Sequence, residues 1–427
     1  MSEQTLNHGY SANLPRDKTA NAHLVAQVIL HFMVSAWIFS GGFVMFEPSP
    51  YEFLFILVLP LALIARVGLH REILSLFAVI LIFIPFSMIA VFQTTFFTTT
   101  EAMIYTLITI FLFLTSFFVA NYVADAPYQR MRIIMKAYVA TAVITASVGT
   151  LAYLKILPGE EIFTLFGRAK AFFKDPNVYG PFLALPAMFL LQKILLRKSI
   201  LTLIPALLFG IIAIGVFVSF SRAAWGVLLL SSVIVFVLNF ILEADGRQKV
   251  HMVILAMIGA TIAIIALLGL LSVPSVNELF QERFSAVQSY DAGSTGRFGR
   301  QSLAFDMAIS NPLGQGPGEF ANLIIKSEPH NTYVNVFLLY GWGGGLAFLS
   351  VFFLTLKRGI GALMKRSKNR VIMIPLMATF ISLLIEAAII DTDHWRHLFL
   401  VIGLIWGVSA GYNRVSDKQM SKKNALV

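Results

Sequence analysis

The chain of 427 residues contains no cysteine, so disulfide bonds, thiolate metal sites and cysteine nucleophiles are excluded. Charged side chains are also scarce: Asp, Glu, Lys and Arg make up 13% of the residues, whereas a soluble domain averages about a quarter. The N-terminal stretch is polar through His23, and no small-residue cleavage site follows the first apolar run. We therefore expect that run to be retained as a membrane span.

Apolar residues are what the chain has in excess. They make up 58% of it, and the mean hydropathy is +0.80. A helix that crosses the hydrocarbon core of a bilayer needs about 20 apolar residues. The sequence therefore predicts an all-α polytopic membrane protein with about twelve transmembrane helices, at residues 24–46, 51–69, 73–92, 102–124, 137–154, 179–196, 199–219, 223–242, 250–272, 331–356, 371–390 and 398–413.

One long polar stretch interrupts this pattern between spans nine and ten, and it predicts a large loop outside the membrane. Apolar residues at helical spacing over 276–287 indicate an amphipathic helix, and residues 297–310 form a second predicted helix before a glycine-rich passage at 314–318. The predicted organisation is a cytoplasmic tail (1–23), spans one to nine (24–272), the loop (273–330), spans ten to twelve (331–413) and a basic cytoplasmic tail (414–427).

The positive charges indicate the orientation. With the N-terminus in the cytoplasm, 22 of the 32 lysines and arginines fall in inner segments, as the positive-inside rule requires. Both termini are therefore predicted to be cytoplasmic, and the large loop is predicted to lie on the outer face. The excess of lysine and arginine in the inner segments accounts for the basic pI, so the pI does not indicate nucleic-acid binding.

The ten outer cations need an explanation, because they oppose this bias. They lie in four separate segments. One arginine guanidinium can donate two parallel hydrogen bonds to the oxygens of a phosphate. The set therefore indicates a pocket for a phosphorylated ligand. The alternative is that each pairs with an outer acid or a lipid headgroup. The ten are Lys155, Arg168, Lys170, Lys174, Arg222, Arg283, Arg297, Arg300, Lys326 and Arg396.

Arg222 and His330 are the sharpest single candidates. Arg222 follows two serines that can cap a helix, and a cation at a helix N-terminus opposes the helix dipole unless an anion lies nearby. The alternative is that Arg222 reaches the lipid headgroups. His330 stands where span ten begins, and a neutral imidazole there can act as a general base towards a hydroxyl. The alternative role is a cap at the interface.

The segment from Asp391 to His397 is open to two interpretations. Its carboxylates and imidazoles can bind a divalent ion, but their spacing fits no metal motif, so we favour a wall of the anion pocket to which Arg396 adds charge. Glu386, within span eleven, is a functional candidate as an intramembrane acid, or it pairs with Arg396. Gly293 to Arg297 lacks the Gly-Lys-Ser/Thr ending of a P-loop.

Taken together, these features resemble the superfamily of O-antigen ligases and polymerases. The resemblance covers most of the chain. It rests on the twelve spans, the large loop, Ser219-Phe220-Ser221-Arg222, Gly296-Arg297, His330-Asn331 before span ten, and Lys174-Asp175-Pro176-Asn177. Here Gln301 stands four residues after Arg297, where the family pattern has leucine, so either Arg297 or Arg300 can fill the family role; we favour Arg297.

The resemblance implies a metal-independent, inverting glycosyltransferase without cofactors in a bacterial inner membrane, with the large loop in the periplasm. The donor is an undecaprenyl-diphosphate-linked glycan, and the acceptor is lipid A-core or a growing glycan; membrane lipids are further partners, and nucleic acid is not. The implied catalytic residues are Arg222, Arg297 and His330, and the implied substrate-binding residues are Arg300, Lys174, Asn177, Asn331, His394 and Arg396.

Two alternatives remain open. The first is an O-antigen or exopolysaccharide polymerase of the same superfamily, which differs only in its acceptor. The second is a polysaccharide flippase or transporter, although the chain shows neither two repeated halves nor matching broken helices at mid-membrane.

Overall fold

The computed structural model describes residues 18–196, 202–284, 293, 296–323 and 328–424, and helices dominate all of the longer segments. A 3-10 turn spans Arg71–Ile73, and β1 (Thr164–Leu165) pairs antiparallel with β2 (Arg168–Ala169). The helices are α1 (Lys18–Ser40), α2 (Pro50–Ile64), α3 (Leu74–Val91), α4 (Thr99–Asp125), α5 (Pro127–Tyr153), α6 (Glu160–Phe163), α7 (Pro176–Phe182), α8 (Ala184–Leu196), α9 (Leu203–Val218), α10 (Arg222–Leu242), α11 (Gly246–Leu271), α12 (Pro274–Phe284), α13 (Arg297–Ser310), α14 (Glu319–Leu323), α15 (Thr332–Met364), α16 (Lys368–Glu386) and α17 (Arg396–Asn424).

The prediction of an all-α polytopic membrane protein is confirmed. Within the described residues, nine helices are long and apolar enough to cross a membrane. Three shorter apolar helices, α2, α9 and the first part of α17, coincide with predicted spans two, seven and twelve. The total of twelve spans and the position of the large loop stay predictions.

The packing centres on α15, α16 and α17, and α17 makes its most extensive contact with α4. Helix α15 packs against α3, α13, α16 and α17, while α16 also packs against α8 and α10. By contrast, α11 lies at the periphery, and Met252 is its one buried side chain. An apolar helix with so little of its surface buried is suited to face lipid.

A kink at Gly341 divides α15, and the glycine-rich passage at 314–318 begins beside this kink. Gly341 has φ 69° and ψ −176°, a backbone region that essentially only glycine adopts. The backbone N–H of Trp342 donates to the Pro312 carbonyl at 2.9 Å, and that of Gln315 donates to the Leu338 carbonyl at 2.8 Å. The passage is therefore bound to the helix that follows His330.

We expect Gly341→Ala to lower the free energy of unfolding by about 2–4 kcal/mol. Its Cβ would lie 2.6 Å from the Pro312 oxygen and would force a left-handed conformation on an L-residue. Thermal unfolding of the purified protein measures the effect. Gly361→Ala, on the same helix with nothing within 4 Å of the added Cβ, is the matched control and should be neutral or slightly stabilising. Equal stabilities would contradict this account of the kink.

Glu319 clamps the passage to the connection between α3 and α4. Its carboxylate accepts hydrogen bonds from the backbone N–H groups of Phe96 and Phe97 and from the Thr95 hydroxyl, at 2.7–2.8 Å. Burial alone would raise the pKa of this carboxyl, but these hydrogen bonds outweigh it and the pKa lies below its ordinary value. The threonine-rich connection is thus an anchor for the passage.

Candidate functional site

A cavity of about 580 Å³ opens between α10, α16 and the start of α13. One end is polar, and the other is formed by apolar side chains of α10 and α16, including Val227, Leu230 and Ile385. Ile385 is 58% exposed, so the apolar end reaches the outer surface of the helices. A charged end joined to an apolar groove fits an amphiphilic ligand. The polar end is lined by Arg168, Asn177, Ser221, Arg222, Arg297 and Glu386.

Arg222 and Arg297 each occupy the first position of a helix. Ser221 caps α10, where its hydroxyl accepts from the Ala224 N–H at 3.4 Å, so the predicted serine cap is confirmed. Gly296 precedes α13, which begins at Arg297 as predicted. Two helix N-termini and two guanidinium groups therefore face one cavity, an arrangement that favours an anion. Arg300 does not line the cavity, which favours Arg297 for the anion contact.

The third guanidinium in the cavity comes from Arg168 on β2. Its Nε donates to the Ser219 carbonyl at 2.9 Å, and one Nη donates to the Asn177 Oδ1 at 2.8 Å. Asn177 lies in the first turn of α7, beside Arg168 at the cavity wall, and its contact with substrate stays a prediction. Arg168 is one of the ten outer cations, and no short-range signal in the sequence distinguishes it from the others. The position of Arg168 depends on its hydrogen bond to Ser219, which lies 51 residues further along the chain.

His330 lies just before α15 with φ +58°, a backbone conformation uncommon for a non-glycine residue. Asp391 fixes it there: one carboxylate oxygen accepts from the His330 N–H at 3.0 Å and lies 3.3 Å from its Nδ1. The other oxygen accepts from the Asn331 N–H at 3.0 Å. A carboxylate 3.3 Å from Nδ1 favours the tautomer with its proton on Nδ1 and a basic Nε2, which is the tautomer that a general base needs.

Asp391 also links the histidine to the cavity. His330 is not itself part of the lining, but Ile389 and Ile390, the two residues before Asp391, are. Gln301, one turn after Arg297 in α13, donates to the His330 carbonyl at 2.8 Å. The Gln301 position, where the family pattern has leucine, therefore connects the arginine helix to the histidine.

Asn331 acts as the cap of α15. Its side chain accepts from the Val334 N–H at 3.3 Å and approaches the Gln301 amide at 3.5 Å. These contacts give it a structural role, and contact with substrate stays a prediction.

The remaining predicted substrate-binding residues lie away from the lining of this cavity. Lys174 pairs with Glu47 at 2.6 Å, and Arg396 pairs with Glu52 at 2.7 Å and Glu47 at 3.1 Å. The proposed pairing of Glu386 with Arg396 is therefore wrong, because two nearer acids already hold that guanidinium. Whether Lys174 and Arg396 bind substrate stays a prediction.

His394 lies outside the lining of this cavity and makes a polar contact with α4. Its Nε2 lies 2.6 Å from the Thr109 hydroxyl, and its ring packs on Tyr105. Burial lowers the pKa of the imidazole to about 4, so it is neutral near pH 7. Across the described residues, no three histidine or acidic side chains are placed to hold a metal ion.

Glu386 is a buried acid in the wall of the cavity. It is 2% exposed, yet neither of its carboxyl oxygens has a hydrogen-bond partner among the described residues. A buried carboxyl group without a hydrogen-bond partner lowers the stability of the folded protein by on the order of a few kcal/mol. A residue that persists under that penalty at a cavity wall is a candidate for ligand contact.

Two further acids, Glu328 and Asp393, lie close to Asp391. Burial raises the pKa of both carboxyls to about 7, and the charge of Asp391 adds to the effect. The unfolded chain has the ordinary values of 4.5 and 3.8, so between about pH 4 and pH 7 the folded protein binds more protons than the unfolded one. Stability contributed by these groups is therefore lost as the pH rises through that window.

We expect the melting temperature to fall between pH 5 and pH 8 and to fall less in Asp393→Asn. The asparagine carries no charge but keeps an oxygen for the Tyr105 hydroxyl, which donates to Asp393 at 3.1 Å. Thermal unfolding at the two pH values measures the difference. An unchanged pH dependence in the variant would show that Asp393 is not one of the groups responsible.

The model of one protein family, described as O-antigen ligase, matches residues 205–349, about a third of the chain. The matched segment contains Arg222, Arg297 and His330. No curated protein matches the chain. The family match confirms the resemblance to the O-antigen ligase superfamily, and it implies glycosyl transfer in general.

Proposed function

We propose that the chain, which resembles the O-antigen ligase superfamily over residues 205–349, transfers a glycan from an undecaprenyl-diphosphate-linked donor to a sugar hydroxyl at the periplasmic face of the inner membrane. The observation that carries the proposal is the cavity in which three arginines meet an apolar groove that reaches the outer surface of the helices. A lipid diphosphate has the matching parts: two phosphates for the guanidinium groups and a polyprenyl chain for the groove.

The arginines have a role in both binding and catalysis. When the bond from the anomeric carbon to the diphosphate breaks, negative charge grows on the departing oxygen. Arg222 and Arg297, at the positive ends of two helices, lie at the cavity wall to stabilise that charge. Arg168 holds Asn177 and the Ser219 turn, and so sets the position of Arg222.

His330 activates the acceptor in this mechanism. Its Nε2 takes the proton of the acceptor hydroxyl, whose oxygen attacks the anomeric carbon from the face opposite the diphosphate and inverts it. Asp391 stabilises the imidazolium that forms, because its carboxylate lies 3.3 Å from Nδ1. No step calls on a metal ion, so we expect EDTA to leave the activity unchanged.

We further propose that Glu386 contacts the sugar attached to the diphosphate. That sugar lies between the arginines and His330 during transfer, and its hydroxyl or amide groups would satisfy the unpartnered carboxyl oxygens.

We expect Glu386→Leu to raise the melting temperature and to raise the KM for donor about tenfold or more. Leucine removes the unpartnered polar group and keeps the volume, but it offers the sugar no hydrogen bond. Thermal unfolding and steady-state transfer with a defined lipid-diphosphate sugar measure the two effects. Ser231→Ala, which removes a polar group from α10 outside the cavity lining, is the control. A Glu386→Leu enzyme with wild-type kinetics would exclude the sugar contact.

The acceptor decides between ligase and polymerase, and a genetic experiment separates them. A deletion strain is complemented with wild type or His330→Ala, and its surface polysaccharide and lipid-linked intermediates are compared on gels. Long chains that stay on the lipid carrier and are missing from lipid A-core indicate a ligase, which is our proposal. Single repeat units alone indicate a polymerase. Unchanged polysaccharide in both the deletion and the variant would overturn both.

A further inference from the structure

A second cavity, of about 360 Å³, lies where the beginning of α3 and the last turns of α15 meet the middle of α17, remote from His330. Ser75 at the beginning of α3, the last turns of α15 and Trp406 in α17 line it. Helix α15 begins at Thr332, near the periplasmic site, and ends at Met364. The cavity is therefore at the membrane face that the charge distribution predicts to be cytoplasmic.

Small residues keep this cavity open. Gly361 and Ala362 form part of its wall, and a Cβ added to Gly361 would meet nothing within 4 Å. Gly361 has ordinary helical geometry, so its lack of a side chain serves space and not backbone conformation. The cavity volume is roughly ten times the volume that one water molecule occupies in the liquid.

The cavity is basic. Lys357, Arg358 and Lys365 line it, and none of its lining residues is an acid. Both lysines are exposed, and their stems lie along the helix end while their ammonium groups can reach the membrane surface. The nearby carboxylate of Glu72, which is not part of the lining, acts electrostatically on Arg358.

Arg358 is held in place. Its guanidinium lies 4.0 Å from the centre of the Trp406 ring, and one Nη donates to the Ser75 hydroxyl at 3.2 Å and to the Glu72 carbonyl. Trp406 is itself fixed, since its Nε1 donates to the Thr355 hydroxyl at 2.8 Å and its side chain is fully buried. A fixed guanidinium with two exposed lysines beside it is suited to bind phosphate oxygens.

We propose that this cavity binds the phosphate of an anionic phospholipid headgroup from the cytoplasmic leaflet. Basic pockets between transmembrane helices at this level are a recurrent site for such headgroups. A soluble phosphate compound offers the same chemistry, and the experiment separates the two sources. The proposal is independent of the donor site, because the two cavities share no residue.

The test uses the purified full-length protein in a neutral detergent. Its melting temperature is measured with added phosphatidylglycerol, cardiolipin, phosphatidylcholine or inorganic phosphate. We expect the two anionic lipids to raise it in a concentration-dependent way and phosphatidylcholine not to. Stabilisation by inorganic phosphate at the same concentrations would overturn the lipid source, and equal stabilisation by phosphatidylcholine would overturn the proposal.

Two variants and a control locate the effect. Gly361→Leu fills the cavity and removes no charge, so it should fold normally and lose the lipid response. Lys357→Gln with Lys365→Gln should weaken the apparent lipid affinity, by about fivefold per lysine. Arg247→Gln removes an exposed basic residue of α11 that lies outside the cavity lining. A full lipid response in Gly361→Leu, or an equal loss in Arg247→Gln, would contradict the site.

Discussion

Replacement of Arg297 by alanine is expected to lower the rate of glycan transfer by about 10²–10³-fold, and Arg222→Ala by a similar factor. Both guanidinium groups begin helices at the wall of the same cavity, so each variant removes a fixed positive charge at the point where the leaving diphosphate gains negative charge. The measurement is transfer from a lipid-diphosphate donor by purified protein, with the amount of folded protein checked by thermal unfolding.

The matched variants make this result specific. Arg297→Lys keeps the charge but loses the paired hydrogen bonds, so it should recover part of the rate. Lys170→Ala removes an outer cation from the same chain segment as Arg168, but Lys170 is not part of the cavity lining, so the rate should stay close to wild type. Arg300→Ala should lower the rate less than Arg297→Ala. If Lys170→Ala were as harmful as Arg297→Ala, general surface charge would explain the loss and not a diphosphate site.

The second large effect is expected at His330. We expect His330→Ala to reduce transfer by about 10²–10⁴-fold with little change in donor KM, because the histidine acts on the acceptor hydroxyl. Asp391→Asn should also reduce the rate strongly, since an amide neither stabilises the imidazolium nor selects the same tautomer. His251→Ala, in α11 near the predicted cytoplasmic face, is the histidine control.

A structural role for Asp391 must be separated from a catalytic one. Its carboxylate also accepts the backbone N–H groups of His330 and Asn331, so a loss of folded protein would be ambiguous. Asp391→Asn keeps an oxygen acceptor, and its melting temperature should stay near that of wild type while its rate and pH–rate profile change. A variant that loses stability but retains the wild-type rate per folded molecule would reduce Asp391 to a structural residue.

The sequence by itself determined the class of protein and the local features of the site. Long apolar runs gave the helices, because each backbone polar group in a bilayer must be paired within the span. Short-range signals placed two of the arginines: a serine cap before Arg222 and a glycine before the Arg297–Ser310 helix, both as predicted. The three glycines at 314–318 marked a tight passage, and all have positive φ.

Only the tertiary structure decided which partners meet. Asp391 lies 61 residues from His330, and Arg168 lies 51 residues from Ser219, so neither pair leaves a local pattern in the sequence. Charge alone suggested that Arg396 pairs with Glu386, yet Arg396 meets Glu47 and Glu52 and leaves Glu386 at the cavity wall. Helix periodicity and caps are fixed by neighbours within a few residues, whereas the choice among several acids for one arginine depends on how whole helices pack.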